Sequence, residues 1–175
     1  MNDEKIKSDS DWMALALTLA AKAESMGEVP VGALVVRNNQ IIGEGFNQPI
    51  ASHNPAAHAE VLALQQAAKT IGNYRTIDTS LYVTLEPCPM CAGLMLHARV
   101  KRLVFGAHDL KSGAAGSVVN LIQHPQFNHQ VEVISGIRSE ECSALLSNFF
   151  KRRRAEKKAL KHHLQVQGDN GSTGN

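Results

Sequence analysis

Apolar residues recur along the chain at two periods, and the switches between them mark out its elements. Trp12, Leu15, Ala16, Leu19, Ala20, Ala23 and Met26 fall at three- and four-residue steps, the spacing of a helix with one buried face. Ser10 or Asp11 is placed to cap its start and Gly27 to end it. Two β-rich runs follow, 31–36 and 40–46, joined by Asn38 and Asn39. They predict a hairpin, because Asn tolerates the positive φ of a tight turn. Pro55 suits the first position of a second helix, whose apolar stripe (Val61, Leu62, Leu64, Ala67, Ala68) runs to Gly72. Residues 81–85 predict a strand, Pro89 to about His97 a short helix, and 102–105 another strand. The stretch 112–116 reads as a Gly-rich loop, 131–134 as a last strand, and a long helix begins near Ser139.

The resulting order, α-β-β-α-β-α-β-β-α, predicts an α/β protein: three layers, α/β/α, around a central mixed five-stranded sheet that opens with an antiparallel hairpin. A length of 175 residues suits one domain with one core, and 43% hydrophobic residues argue against disorder over most of it. No stretch is long and apolar enough to span a bilayer, and the polar N-terminus lacks an apolar signal region. The expected compartment is therefore the cytoplasm, where three cysteines favour metal binding or reactivity over a disulfide framework.

Charge changes this picture at one end. Lys151, Arg152, Arg153, Arg154, Lys157, Lys158 and Lys161 stand against Glu156 alone, whereas the rest of the chain holds 11 basic and 15 acidic residues. A mildly acidic body with one basic end suits a polyanion partner; a solvated helix would carry the same run. After Leu164 the chain turns Gly/Asn/Ser/Gln-rich, which predicts disorder over 164–175.

Two short motifs carry the chemistry: His58-Ala59-Glu60 and Pro87-Cys88-Pro89-Met90-Cys91. A Cys-x-x-Cys pair alone reads as a zinc pair, a redox dithiol or two core cysteines. At the start of a helix, however, the two sulfurs point the same way, and the positive dipole end favours the thiolates that zinc binds. Pro89 costs nothing there, since the first turn has no internal N–H bond to lose. His58 lies in the first turn of its own helix, so two helix N-termini can converge on one N-S-S set. Three protein ligands leave a fourth tetrahedral position for water, the layout of a catalytic zinc site. Cys142, in an apolar run, reads as core instead. Glu60 is about 200° around the helix from His58, which fits a helix pointing end-on at the metal, with Glu60 reaching the water without ligating zinc.

The H-x-E…P-C-x-x-C arrangement resembles the signature of the cytidine/deoxycytidylate deaminase superfamily, whose chemistry is an established worked case. The likeness extends to 28–33, 43–47, Asn54-Pro55, 81–88, 105–116 and Phe149-Phe150, roughly residues 10 to 155, where the chain resembles bacterial tRNA adenosine deaminases. The resemblance implies hydrolysis of adenosine to inosine at the wobble position of a tRNA anticodon loop, by a homodimer with one zinc ion per subunit. His58, Cys88 and Cys91 would hold the metal and Glu60 would move the protons. It also implies substrate contacts for Asn47, with the flipped nucleoside, and for Asp109, beside the neighbouring nucleotide. A carboxylate near phosphates wants a hydrogen-bond donor, and the ribose 2′-hydroxyl supplies one that DNA lacks. Asp109 is therefore expected to favour RNA; an Asp capping the next turn is the competing reading. Phe150 and Arg153 are candidates for stacking and phosphate contact, with Phe149-Phe150 as core anchors the plainer alternative. The chain then divides into an extension, 1–9, a deaminase domain with a basic C-terminal helix, 10–163, and the tail.

A deaminase of a free base, nucleoside or nucleotide (cytosine, guanine or a riboflavin precursor) would share the zinc motif; the basic last helix and the 105–116 segment favour RNA. A thiol–disulfide oxidoreductase would leave His58 and Glu60 unexplained, and a structural zinc in an RNA-binding subunit would have no use for Glu60.

Overall fold

Consecutive apolar residues in the central strands, such as Leu34-Val35-Val36 and Leu103-Val104-Phe105, require cover on both faces, and the fold provides it. A computed structural model describes residues 6–170, with side chains to residue 165. Its elements are α1 (Asp9–Ser25), β1 (Gly32–Arg37), β2 (Gln40–Phe46), α2 (Pro49–Ser52), α3 (Ala59–Ile71), β3 (Ser80–Leu85), α4 (Pro89–Ala98), β4 (Arg102–Ala107), β5 (Glu132–Ser135) and α5 (Ser139–Asn170). The five strands form one sheet in the order β2-β1-β3-β4-β5. β1 pairs antiparallel with both β2 and β3, whereas β3–β4 and β4–β5 are parallel, so the sheet is mixed as expected.

Successive side chains of a strand point to opposite faces. Ala33, Val35, Leu81, Val83, Leu103 and Phe105 enter a core shared with α3 and α4. Their neighbours Leu34, Val36, Tyr82 and Val104 enter a second core with Trp12, Met13, Ala16 and Leu19 of α1 and with Cys142 of α5. Cys142 is thus a buried packing residue, as its apolar context predicts. The hairpin turn is also as expected: Asn38 and Asn39 have φ of 50° and 59°.

Glycine sets how closely α3 approaches the sheet. A Cβ at Gly45 would stand 2.2 Å from the carbonyl oxygen of Ala59, the first residue of α3. Only a residue without a side chain lets β2 lie there, and the contact fixes where that helix begins.

Three local expectations change. Ser8 caps α1, not Ser10 or Asp11: its hydroxyl accepts the Asp11 N–H, and the Asp11 carboxylate accepts the Ser8 N–H at 2.9 Å. This reciprocal box satisfies two orphan donors, which no cap further along could do. Pro55 does not open α3. Proline instead opens the short α2, at Pro49, and α3 begins at Ala59 with His58 as its N-cap. At the far end, α5 runs to Asn170, past residue 164, where the tail was placed; residues 1–5 of the extension and 171–175 of the tail lie outside the described residues.

Candidate active site and metal centre

The site lies where the parallel strands β3 and β4 end, the customary place for ligands on such sheets. Beyond β3 the chain turns through Glu86 and Pro87 into α4, with Cys88 as N-cap and Pro89 at the first helical position. Neither His58 nor Cys88 makes a side-chain capping bond, although each holds the position where Ser, Thr, Asp or Asn would stabilise a helix. Their side chains are turned to one another instead. His58 Nδ1 is 3.7 Å from Cys88 Sγ and 3.6 Å from Cys91 Sγ. All three potential ligand atoms lie within 4.8 Å of one another.

That spacing tests whether zinc fits. With Zn–N of about 2.1 Å and Zn–S of about 2.3 Å at tetrahedral angles, nitrogen and sulfur stand about 3.6 Å apart. Both measured separations match, so the donor set fits a tetrahedral zinc ion. The electrostatics agree. A hydrogen bond from Cys91, helped by His58, brings the Cys88 thiol down to about 4, while the same bond and burial push Cys91 up. The bond to Cys88 also raises His58. The cluster thus holds a thiolate beside an imidazole at two helix N-termini, a donor set suited to a divalent cation.

Glu60 sits at the second position of α3, 4% exposed, and is no part of the ligand set. Burial pushes its carboxyl up to about 6. With His58 and Cys88 it lines a cavity of about 650 Å³. Asn47 lines it too. Its Oδ1 accepts the Ala59 N–H at 2.9 Å, capping α3 in place of His58 and leaving the amide NH2 as the end that can donate to a ligand. Phe150 forms part of the wall, while Phe149 is buried beneath it in an edge-to-face pair at 5.4 Å. Phe149 is thus a core anchor, and Phe150 lines the cavity.

Asp109 also lines the cavity, and its carboxylate shapes the turn: Oδ1 accepts the N–H groups of Lys111 and Ser112, and Oδ2 the Ser112 hydroxyl at 2.6 Å. Burial works against the charge, but these bonds hold the carboxyl below its usual range. Arg153 is not part of the cavity wall; its guanidinium meets Glu156 at 3.2 Å. Of the other histidines, His129 Nε2 donates to the Val100 carbonyl at 2.8 Å, and His124 packs tilted against Phe127.

Sequence reasoning missed Glu86. Its side chain is fully buried and collects the N–H groups of Asp109, Ala115 and Ser117, each at 3.0 Å, together with the Ser117 hydroxyl. It thereby ties the cavity-lining segment after β4 to the end of β3. An acidic residue at the end of an apolar strand, directly before Pro87-Cys88, was the signal available. Glu28 is a second buried carboxylate; it accepts the Ala51 N–H at 2.7 Å and anchors α2.

The chain matches the MafB19-like deaminase family over residues 7–154. It is 52% identical to a tRNA-specific adenosine deaminase of Haemophilus influenzae over 172 residues, covering 97% of this chain and 99% of that one. The chain belongs to the tRNA-specific adenosine deaminase family. A second such deaminase, from Bacillus subtilis, is 47% identical over 156 residues, 89% of this chain and 97% of the relative. A solved structure from work on A-to-I editing by tRNA:A34 deaminases at the wobble position superposes with a TM-score of 0.75 at 38% identity, over 77% of this chain and 98% of the other. In this deaminase the N-S-S cluster, the buried glutamate and the cavity all fall within the matched residues.

Proposed function

We infer that the protein hydrolyses adenosine to inosine at the wobble position of a tRNA anticodon, with zinc held by His58, Cys88 and Cys91. One observation carries the reading: the imidazole nitrogen and two sulfurs stand at tetrahedral zinc spacing beside a buried carboxylate outside the ligand set. The relatives' activity on tRNA supplies the substrate class.

Bound zinc would supply Lewis acidity and a lowered pKa for water at its open position. Glu60 accepts the proton of the attacking water and delivers it to N1 of the purine as oxygen adds at C6. It then moves the proton of the added hydroxyl to the departing amine as the C6–N bond breaks and C6 becomes a carbonyl, so adenosine and water give inosine and ammonia. Asn47 offers its amide NH2 to the inserted nucleoside, and Phe150 offers a stacking face. Asp109 holds the turn at the cavity and faces the ribose of the neighbouring nucleotide, favouring RNA. Arg153 serves at most as an outlying phosphate contact from this position.

The reading includes a homodimer, supported by exposed apolar side chains on the β4–β5 connection (Val118, Val119, Phe127). It includes the cytoplasm as the site of action, in keeping with tRNA as substrate; among the described residues no helix is long and apolar enough to cross a membrane. Incubation with an anticodon stem-loop bearing wobble adenosine, and separately with free cytidine, guanine and adenosine, tests the function. Inosine in the stem-loop with little ammonia from the free compounds is the expected result. Deamination of a free compound alone would replace RNA as substrate.

A further inference from the structure

The distal part of α5 is long, exposed and basic. Residues 151–165 are exposed throughout, and the deaminase family match ends at residue 154. Ser143, Leu146, Ser147 and Phe150 line the cavity at steps of three and four, so one face of α5 looks onto the site. At about 100° per residue, that face continues through Arg154, Lys157 and Lys161, each within about 30° of its mean direction. Arg152 and Glu156 lie on the opposite side, where Arg152 meets Glu24 at 3.0 Å and Glu156 takes up Arg153 at 3.2 Å. Among the described residues, Arg154, Lys157 and Lys161 have no acidic partner within ion-pair distance. Residues 151–165 thus place their one acidic side chain, Glu156, on the face turned from the site and leave three uncompensated cations in line with the cavity.

We propose that Arg154, Lys157 and Lys161 form a phosphate-binding rail that holds the RNA backbone flanking the nucleotide in the cavity, adding affinity without reading sequence. The inference rests on RNA being the substrate. With a rise of about 1.5 Å per residue, the rail runs roughly 6 to 16 Å beyond Phe150, too far to touch the reacting nucleotide. Charge complementarity selects a polyanion, and continuity with the cavity wall selects the one whose nucleotide enters there.

The test compares wild type with R154Q/K157Q/K161Q, in which glutamine keeps helix propensity and removes charge. A control, K69Q/R75Q/K101Q, removes equal charge at the opposite end of the sheet. KM and kcat on an anticodon stem-loop are measured from low to moderate salt, with circular dichroism to follow the helix. The rail variant should raise KM roughly tenfold or more at about 0.1 M salt and flatten its salt slope by about 2, with kcat unchanged. The control should keep the wild-type values. An unchanged KM and slope in the rail variant, or an equal loss in the control, overturns the rail while leaving the deaminase reading intact. Failure of the wild type to convert the stem-loop would instead overturn the functional reading itself.

Discussion

The carboxylate of Glu86 accepts the backbone N–H of Asp109 at 3.0 Å, joining the end of β3 to the first turn after β4. Through this bond and those from Ala115 and Ser117, a single buried side chain sets the segment that forms one side of the cavity. Its contribution is to shape, since Glu86 lies neither in the ligand set nor on the path assigned to protons.

Glu86→Gln should therefore act on binding more than on chemistry. Glutamine retains one acceptor oxygen but turns an NH2 toward donors that Oε2 now serves. The Asp109 N–H loses its partner, at a cost of about 1–3 kcal/mol where it stays buried, while the Ser117 hydroxyl can turn to accept from the amide. KM for the stem-loop should rise while kcat falls less, and hydrogen exchange should quicken at Asp109, Ala115 and Ser117. Unchanged exchange at those amides would remove the positioning role.

Asn47 combines a structural and a binding task that two substitutions separate. Asn47→Ala removes the Ala59 cap, a loss of about 1 kcal/mol, together with the amide donor. Asn47→Asp keeps an acceptor at the helix N-terminus and removes only the donor. Thermal denaturation should show the alanine variant destabilised and the aspartate variant close to wild type, with substrate binding weakened in both. Normal binding by Asn47→Asp would end the assignment of the amide to the nucleoside.

The start of α1 is pinned to the sheet by an ion pair. Arg102 donates to both oxygens of Asp9, at 2.8 and 2.7 Å, and the Tyr82 hydroxyl donates to Oδ1 at 2.8 Å. The Arg102 bond, with the Tyr82 bond added, outweighs burial and holds the Asp9 carboxyl below its ordinary value. A depressed pKa means that the unfolded chain takes up this proton first. The stabilisation is then complete above the unfolded value of about 3.9 and disappears as pH falls through the lower folded value. Asp9→Asn should cost about 1–3 kcal/mol near neutral pH, and denaturation curves of the two proteins should converge as the medium becomes strongly acidic. A constant gap between them at every pH would contradict the ion pair.

Much of this was readable from residue order. Strands interleaved with helices announced a sheet covered on both faces, and the Asn38-Asn39 turn announced the hairpin. The metal set was readable because each ligand lies at a helix start, where local sequence marks the boundary. What escaped depends on distant partners. Glu86 acquires its role only when residues 23 to 31 positions later fold back onto it. Likewise, α3 begins at Ala59 and not at Pro55 because Asn47, 12 residues earlier, supplies its cap. Neither partnership leaves a trace in local periodicity.

The central claim is that Glu60 carries protons beside a zinc ion it does not bind. Its most direct test is the single-turnover rate of inosine formation by zinc-loaded Glu60→Gln on the anticodon stem-loop. The rate should fall by about 10²–10⁴-fold or more, with one zinc per chain retained. A rate within tenfold of wild type would contradict the assignment.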